Sequence, residues 1–380
     1  MHLKKKLSLK DLKKICKQGL KKEDYPLCSF IKKNIVVYEG NTLRKNLSLK
    51  KQESYKSEMA KVFEEGSGIV VIQNFFKDTD IIDQMNTVFD AILKEEKNKE
   101  AADHFAKGGQ NARIWNAFEK SAMKDAKVFL NYYKNPLLSI VAKARLGSNY
   151  QVTSQVNIIY PTGKAQSPHR DYHLGFQENT EVLSYPLHAQ IMSRLLTLQG
   201  GVAHVNIPVK SGPTKFLPFS QQYELGYLAW REEEFKNYFE KSYVQLSLKK
   251  GDAIFFNPAV FHAGGENKSK NIIRSVNLLQ LSSAFSKPME SVDLYKISLS
   301  IYKDLRKVYK KGLFDECSLD AILTASSDAY SFPTNLDKDL PLGTLCPQTL
   351  KELCKQALKE DWKYSKFKEE VSKHKKRRDS

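Results

Sequence analysis

The amino-acid sequence predicts a mainly β protein with flanking helices, whose core is a double-stranded β-helix of the jelly-roll, cupin-like type. Three observations lead to this class. Between residues 151 and 281, short apolar runs alternate with Gly- and Pro-containing turns at the spacing typical of jelly rolls. Apolar residues at helical spacing occur on both sides of that region. The chain has 380 residues, 41% of them hydrophobic, which is enough apolar material for a large core.

Individual elements follow from the same patterns. A buried strand is predicted at 68–76, and a helix begins near Asp80. A second helix is predicted over 124–145. The expected strands are 151–160, 194–199, 203–208, 243–248, 253–256 and 271–281, with Gly200-Gly201 as one of the intervening turns. The insertion 221–241 is expected to be helical or irregular and to cover the mouth of a pocket, and helical patterning returns at 291–311.

The net charge of +18 belongs to the two ends of the chain. Basic residues exceed acidic ones by eleven over 1–52 and by five over 362–380, whereas 53–361 carry a net charge of only +2. We therefore predict a basic N-terminal extension (1–52), one central domain (53–312) and a helical, Lys-rich, partly disordered C-terminal extension (313–380). Basic ends attract phosphate groups without specificity. No nucleic-acid-binding module accompanies them, so no specific nucleic-acid partner is predicted.

Several absences in the sequence indicate a cytoplasmic protein. No apolar run approaches the roughly 20 residues that cross a bilayer, so no transmembrane segment is expected. The Lys-rich start lacks the apolar stretch of a secretory signal. The five cysteines are odd in number and form no CxxC pair, which favours reduced thiols. The oligomeric state cannot be predicted from these patterns.

The segment Ser167-Pro168-His169-Arg170-Asp171 carries the main chemical signal. Side chains two residues apart on a strand share a face, so His169 and Asp171 can bind one metal ion. A third ligand must come from elsewhere, and His262, after the apolar run 253–256, is the best candidate. Two histidines and one carboxylate leave open coordination positions, as in Fe(II) oxygenases. A 2-oxo acid and O2 could fill them.

Arg274 follows His262 by twelve residues, on the next predicted strand. An inward-facing guanidinium can bind a carboxylate through two parallel hydrogen bonds, and without an anion its burial would be costly. The distal carboxylate of 2-oxoglutarate is the expected partner. Two other classes remain open: a catalytically inert jelly roll that binds a ligand through its basic ends, and a zinc hydrolase that uses the same three ligands.

These residues resemble the phytanoyl-CoA dioxygenase family of Fe(II)/2-oxoglutarate oxygenases. The resemblance lies in 166–171, 211–220, 251–262 and 271–274 and extends from about residue 55 to 285. It implies a jelly-roll dioxygenase domain over 53–312. It also implies iron bound by His169, Asp171 and His262, and 2-oxoglutarate bound by Arg274. No catalytic residue beyond the metal ligands is expected.

The resemblance adds two candidate co-substrate contacts, Gln166 and Asn157. It implies oxidation of a small organic molecule with O2, with release of succinate and CO2. Related halogenases have a small residue in place of the metal-binding carboxylate; because Asp171 is present, hydroxylation is expected. One departure is Gln221, where the family often has His, and it affects the local loop. Family members act on varied molecules, so the substrate itself is not predicted.

Overall fold

A computed structural model describes residues 6–97, 111–341 and 343–379. Within these residues the chain forms ten strands, fifteen α-helices and four short 3-10 helices. The strands are β1 (Phe30–Lys32), β2 (Ile35–Glu39), β3 (Ile69–Gln73), β4 (Asn111–Ile114), β5 (Gln151–Ile159), β6 (Thr197–Ala203), β7 (Lys215–Leu217), β8 (Ala253–Phe256), β9 (Phe261–Ala263) and β10 (Arg274–Ser282). The helices are α1 (Leu9–Cys16), α2 (Gly40–Lys45), α3 (Leu49–Glu64), α4 (Asp80–Lys97), α5 (Ala117–Lys124), α6 (Ala126–Tyr133), α7 (Pro136–Leu146), α8 (Asn179–Ser184), α9 (Leu187–Ser193), α10 (Gly226–Ala229), α11 (Glu233–Ser242), α12 (Leu294–Lys310), α13 (Glu316–Ser326), α14 (Leu350–Lys359) and α15 (Tyr364–Arg378).

Eight strands form one large sheet in the order β1-β2-β3-β8-β6-β10-β5-β4, and β7 pairs with β9 in a second, two-stranded sheet. All pairs are antiparallel except β2 with β3. Side chains alternate between the two faces of the large sheet. On β10, Leu279 and Leu281 belong to the main core shared with the helices. Val276 faces the smaller sheet, where Ile254 and Phe256 pack with Phe216 of β7.

The described chain contains more helix than strand, 47% against 16%. The predicted large sheet with flanking helices is present, but the description "mainly β" is not confirmed. One layer of helices, which includes α4, α6, α7 and α12, covers a whole face of the large sheet. Periodicity predicted α4 and α12 and merged α6 and α7 into one helix, but it did not show how much of the chain would be helical.

The predicted turn at Gly200-Gly201 is wrong, because both glycines lie within β6. Their small size serves packing. A Cβ atom on Gly200 would lie 2.7 Å from the ring of Phe255, and one on Gly201 would lie 3.0 Å from Val276 Cγ1. A glycine inside a strand often marks such a close approach. Thr197–Ala203 is therefore one strand, and the predicted strands 194–199 and 203–208 are not separate elements.

Two further sequence predictions need correction. The helix expected over 124–145 is divided into α6 and α7 by Asn135-Pro136, where the Asn135 side chain caps α7 and Pro136 occupies its first position. Proline is well placed there but cannot continue a preceding helix. The strand expected at 243–248 is reduced to isolated bridges, from Val244 to Phe216 and from Leu248 to Ile207.

Both ends of the chain contribute to the packed structure. From the basic N-terminal segment, β2 pairs in parallel with β3 inside the large sheet. Residues 313–341 and 343–379, predicted to be partly disordered, form α13 to α15, and Phe367 stacks on Tyr302 with ring centroids 3.7 Å apart. The domain boundaries themselves stay a prediction. All five cysteines are free. No helix in the described part of the chain is long and apolar enough to cross a bilayer.

Candidate metal centre

The three predicted metal ligands come together at one point. His169 lies on an extended segment opposite His262 of β9, and the two residues exchange both backbone hydrogen bonds, with N···O distances of 2.9 and 3.1 Å. Residues paired in this way project their side chains to the same face. The two imidazole centroids are 4.5 Å apart. Asp171 continues the pairing through its backbone N–H, which donates to Pro258.

The ligand atoms converge around Asp171. Its Oδ1 lies 3.3 Å from His169 Nε2, and its Oδ2 lies 3.1 Å from His262 Nε2. One ligand atom from each residue can be chosen so that all three lie within 4.8 Å of one another. Each Nδ1 lies 2.8 Å from a carbonyl oxygen, that of Ser167 for His169 and that of Val260 for His262. We therefore assign the proton to Nδ1, which leaves the Nε2 lone pairs directed at the shared point.

The electrostatics of this cluster favour the metal-binding protonation states. Burial alone would raise the pKa of Asp171, but the adjacent His169 and His262 and the nearby Gln199 amide hold this pKa well below its usual range. Burial lowers the pKa of His169 by more than the adjacent Asp171 raises it. The site therefore presents a carboxylate and a neutral imidazole at neutral pH, as metal coordination requires.

The donor set fits a mononuclear iron ion. Two neutral imidazole nitrogens and one carboxylate oxygen suit Fe(II) and leave coordination positions for small molecules. The same ligands also occur at catalytic zinc sites. Because the donor atoms do not distinguish the two metals, the surroundings of the site have to do so.

Arg274, the first residue of β10, has the buried position predicted for it, with 6% of its surface exposed. Its Nη1 donates to the carbonyl oxygens of Ser211, at 3.4 Å, and Gly265, at 3.2 Å. Burial lowers the pKa of Arg274 to about 10. No carboxylate in the described part of the chain forms an ion pair with this guanidinium. It is a buried cation with only neutral partners.

The two weaker candidates lie close to these residues. Gln166 is exposed, and its Oε1 accepts a hydrogen bond from the Gly264 N–H at 2.8 Å, so its amide oxygen is already engaged. Asn157 lies on β5 opposite Val276 of β10. Cross-strand neighbours share a face, and Val276 is two residues from Arg274, so Asn157 lies on the same face as Arg274.

The extended segment ends directly after Asp171. Tyr172 and His173 have φ angles of 65° and 43°, and a short 3-10 turn begins at His173. His173, two residues after Asp171, therefore does not share a strand face with the metal ligands.

The insertion 221–241 contains α10 and α11 and is anchored to the N-terminal helix. Ser8 N–H donates to the Tyr223 hydroxyl at 2.8 Å, and Leu12 of α1 is buried in the same apolar cluster as Tyr223 and Phe235. A mobile cover over the pocket remains a sequence-based prediction. The observed contacts attach the insertion to α1.

Sequence reasoning missed Gln199, whose side chain reaches Asp171 from the middle of β6 and helps to lower the pKa of this carboxyl group. A usable signal was present: glutamines occur within otherwise apolar strands at 155, 199 and 280. A polar side chain in a buried strand needs a partner. These positions could have been marked as facing the site.

Two histidines and one aspartate that converge on one point, together with a buried arginine, are typical of mononuclear non-haem iron oxygenases. The chain belongs to the phytanoyl-CoA dioxygenase (PhyH) family, whose model matches residues 65–276. It is accordingly an Fe(II)/2-oxoglutarate-dependent enzyme, with iron and 2-oxoglutarate as its cofactors. No curated protein matched the chain.

Several solved structures are similar to this chain. One is the non-heme alpha ketoglutarate dependent epimerase SnoN from nogalamycin biosynthesis, with 17% identity, coverage of 61% of this chain and 84% of that chain, and a TM-score of 0.42. The carbocyclase SnoK from the same biosynthesis has 19% identity, coverage of 63% and 85%, and a TM-score of 0.43. EctD from S. alaskensis with 2-oxoglutarate and 5-hydroxyectoine has 17% identity, coverage of 60% and 76%, and a TM-score of 0.42. TM-scores in this range indicate a distant resemblance.

Proposed function

We propose that this protein is a dioxygenase that hydroxylates a small organic substrate while 2-oxoglutarate is converted to succinate and CO2. In this proposal His169, Asp171 and His262 hold the iron, and the two sheets form a double-stranded β-helix around it. The observation that carries the proposal is the convergence of both Nε2 atoms on the Asp171 carboxylate. A small-molecule substrate and a cytoplasmic location also belong to the proposal.

Each residue has a defined task in this proposal. The Nδ1 hydrogen bonds of His169 and His262 fix both rings, so that their Nε2 lone pairs stay directed at the metal. Gln199 orients the Asp171 carboxylate. Arg274 binds the distal carboxylate of 2-oxoglutarate through charge-assisted hydrogen bonds. Bound iron, with 2-oxoglutarate and O2, supplies the oxidising chemistry.

The buried Arg274 favours this function over a zinc hydrolase. Hydrolysis at a metal-bound water does not require a buried cation beside the metal, whereas a dicarboxylate co-substrate provides the anion that Arg274 lacks. Turnover of 2-oxoglutarate supported by Fe(II) but not by Zn(II) would distinguish the two functions directly.

The first test removes one ligand. Anaerobic addition of Fe(II) and 2-oxoglutarate to the wild-type protein should produce the weak visible charge-transfer band of a chelated 2-oxo acid. His262→Ala should abolish this band because only two protein ligands remain. His188→Ala, at an exposed histidine, is the matched control and should retain it. A folded wild-type protein without the band, or an undiminished band in His262→Ala, would contradict the proposal.

A further inference from the structure

The face of the large sheet that carries Arg274 continues well beyond this residue. Arg274, Val276, Leu278 and Gln280 alternate along β10 and share one face. Six residues separate Arg274 from Gln280, about 20 Å of strand. Val276 and Leu278 are only half-buried, although β10 has hydrogen-bonded strands on both sides. The sheet is therefore open on this face, with the arginine at one end and a glutamine at the other.

Three glutamines occupy the end of the face away from Arg274. Gln280 of β10 is directly opposite Gln199 of β6, and Gln155 of β5 is opposite Leu278. All three are at least 95% buried. Gln199 is close enough to Asp171 to lower the pKa of that carboxyl group, so these glutamines adjoin the candidate metal centre.

Within residues 6–97, 111–341 and 343–379, these glutamines have buried atoms without hydrogen-bond partners. The unpaired atoms are Gln199 Oε1, Gln280 Oε1 and Gln155 Nε2. Charged neighbours orient two of the amides. Gln155 Oε1 accepts from Arg113, and the Asp171 carboxylate, which can only accept, favours the orientation in which Gln199 Nε2 faces it. Buried polar atoms in native proteins normally have partners, so an unpaired set beside a reactive site indicates that a ligand completes it.

Two further residues with unpaired polar atoms, Glu290 and Tyr172, lie next to these glutamines. Glu290 Oε1 accepts from the Asn116 N–H at 2.7 Å, whereas its Oε2 is buried and unpaired. Gln155 is a neighbour of Glu290, yet Gln155 Nε2 and Glu290 Oε2 form no hydrogen bond of normal geometry. The buried Tyr172 hydroxyl also lacks a partner among the described residues, and this tyrosine lies within electrostatic range of both Asp171 and Glu290. The unpaired set holds three acceptors, one donor and one hydroxyl.

We propose that Gln155, Gln199, Gln280, Glu290 and Tyr172 form the recognition wall for the primary substrate, and that this substrate is a hydrophilic molecule rich in hydroxyl or amine donors rather than an apolar acyl chain. The inference rests on the proposed function, because it places the substrate opposite the Arg274 end. An excess of acceptors requires donors from the ligand. A hydrocarbon chain would leave Glu290 Oε2 and the amide oxygens of Gln199 and Gln280 unpaired. The binding free energy of an apolar substrate would therefore be unfavourable relative to that of a donor-rich one.

The binding test uses the anaerobic Fe(II)·2-oxoglutarate complex, whose visible band reports substrate arrival beside the metal. The donor-bearing probes are myo-inositol, D-glucose, putrescine and L-lysine; the apolar probes are octanoate and decanoate. We expect at least one donor-bearing probe to shift the band and the apolar probes to have no effect. A shift with myo-inositol or D-glucose would indicate recognition of hydroxyl groups, whereas a shift with putrescine or L-lysine would indicate recognition of ammonium groups. If no donor-bearing probe shifts the band, or only the apolar ones do, the inference is overturned while the band itself still supports the proposed function.

Variants then assign the binding to the wall. Glu290→Ala should weaken the affinity for the effective probe by at least about tenfold, as expected for the loss of a hydrogen bond to a charged group. Glu369→Ala, on the exposed face of α15, is the matched control and should leave this affinity unchanged. Equal affinities in wild type and Glu290→Ala would contradict the assignment.

A stability measurement separates ligand recognition from a structural role. Gln280 forms no side-chain hydrogen bond within the described residues, so Gln280→Leu should leave the unfolding midpoint of the metal-free protein unchanged or raised while probe binding falls. Gln190→Leu is the matched control. Gln190 Nε2 donates to the Val182 and Tyr185 carbonyls, and its loss should lower the midpoint. A lowered midpoint in Gln280→Leu, or unchanged probe binding, would show that Gln280 is structural.

Discussion

At the scale of single residues, Arg274 is the position where stability and function are most clearly opposed. Its guanidinium is buried but is bonded only to two carbonyl oxygens. Taking a charge out of water without a counter-charge is unfavourable, so this residue destabilises the free protein. A bound anion would compensate the positive charge of Arg274 and remove this destabilisation.

Replacing Arg274 by Met should therefore have opposite effects on stability and binding. The metal-free variant should be as stable as the wild type or more so in urea unfolding. Its KM for 2-oxoglutarate should rise about 10- to 150-fold, because a hydrogen bond to a charged group contributes about 1.5–3 kcal/mol. Arg44→Met is the matched control, since Arg44 also donates to backbone carbonyls but lies away from the site. An unchanged KM in Arg274→Met would exclude a role in co-substrate binding.

At the scale of elements, the Arg170 side chain attaches the segment that carries His169 and Asp171 to the neighbouring part of the fold. This side chain is 1% exposed and lies over the rings of Tyr227 and Phe261, with distances of 5.1 and 5.2 Å to their centroids. It also donates to the Ser220 and Tyr223 carbonyls. Because adjacent side chains of an extended chain point in opposite directions, Arg170 anchors the metal-binding segment to the region around α10.

Gly226, at the start of α10, makes this anchor possible. A Cβ atom there would lie 1.9 Å from Arg170 Cζ, so Gly226→Ala must displace the guanidinium. We expect a loss of about 1–3 kcal/mol in the free energy of unfolding, typical of overpacking, together with weaker iron binding. Urea unfolding and iron titration would measure the two effects. Gly19→Ala, where a Cβ meets open space, is the matched control. A variant with wild-type stability and iron affinity would show that Arg170 can move freely.

At the scale of the whole molecule, a buried polar network joins the helical layer to the large sheet. His204 follows β6 and is fully buried. Its Nε2 accepts from the Tyr132 hydroxyl of α6 at 2.8 Å, and its Nδ1 donates to Asn86 of α4 at 2.6 Å. Asn277 of β10 donates to the same tyrosine hydroxyl. These bonds need a neutral imidazole, because a protonated ring could not accept from Tyr132.

The network predicts a pH dependence of global stability. Burial, with a contribution from the nearby Lys250 charge, lowers the pKa of His204 from 6.5 to about 3. Below pH 6.5 the unfolded chain takes up a proton that the folded chain does not, so acidification favours unfolding until the pH approaches 3. The contribution to the slope is at most about 1.4 kcal/mol per pH unit.

His204→Gln should remove this contribution. Urea unfolding between pH 7 and pH 4 should show a shallower loss of stability in the variant than in the wild type. His188→Gln, at an exposed position, controls for the loss of a histidine and should keep the wild-type slope. Identical slopes in His204→Gln and wild type would mean that His204 is protonated in the folded protein.

Local patterns in the sequence were sufficient for much of the fold and for the candidate ligands. The apolar run at 69–73 and the helical spacing after Asp80 correspond to β3 and α4. His169, Asp171, His262 and Arg274 could be chosen because strand alternation and residue chemistry act over a few positions. The Gly200-Gly201 pair was wrongly predicted as a turn. Both positions need glycine because Phe255 and Val276, which are distant in the chain, pack closely against them.

The sequence by itself determined which side chains could bind a metal and a dicarboxylate, because that depends on residue type and short-range periodicity. Only the tertiary structure decided that His169 lies opposite His262, that Gln199 lies beside Asp171, and that a group of buried polar side chains extends away from Arg274. These relations are set by strand register and by packing between segments up to about 135 residues apart, for which a single sequence carries no local signal.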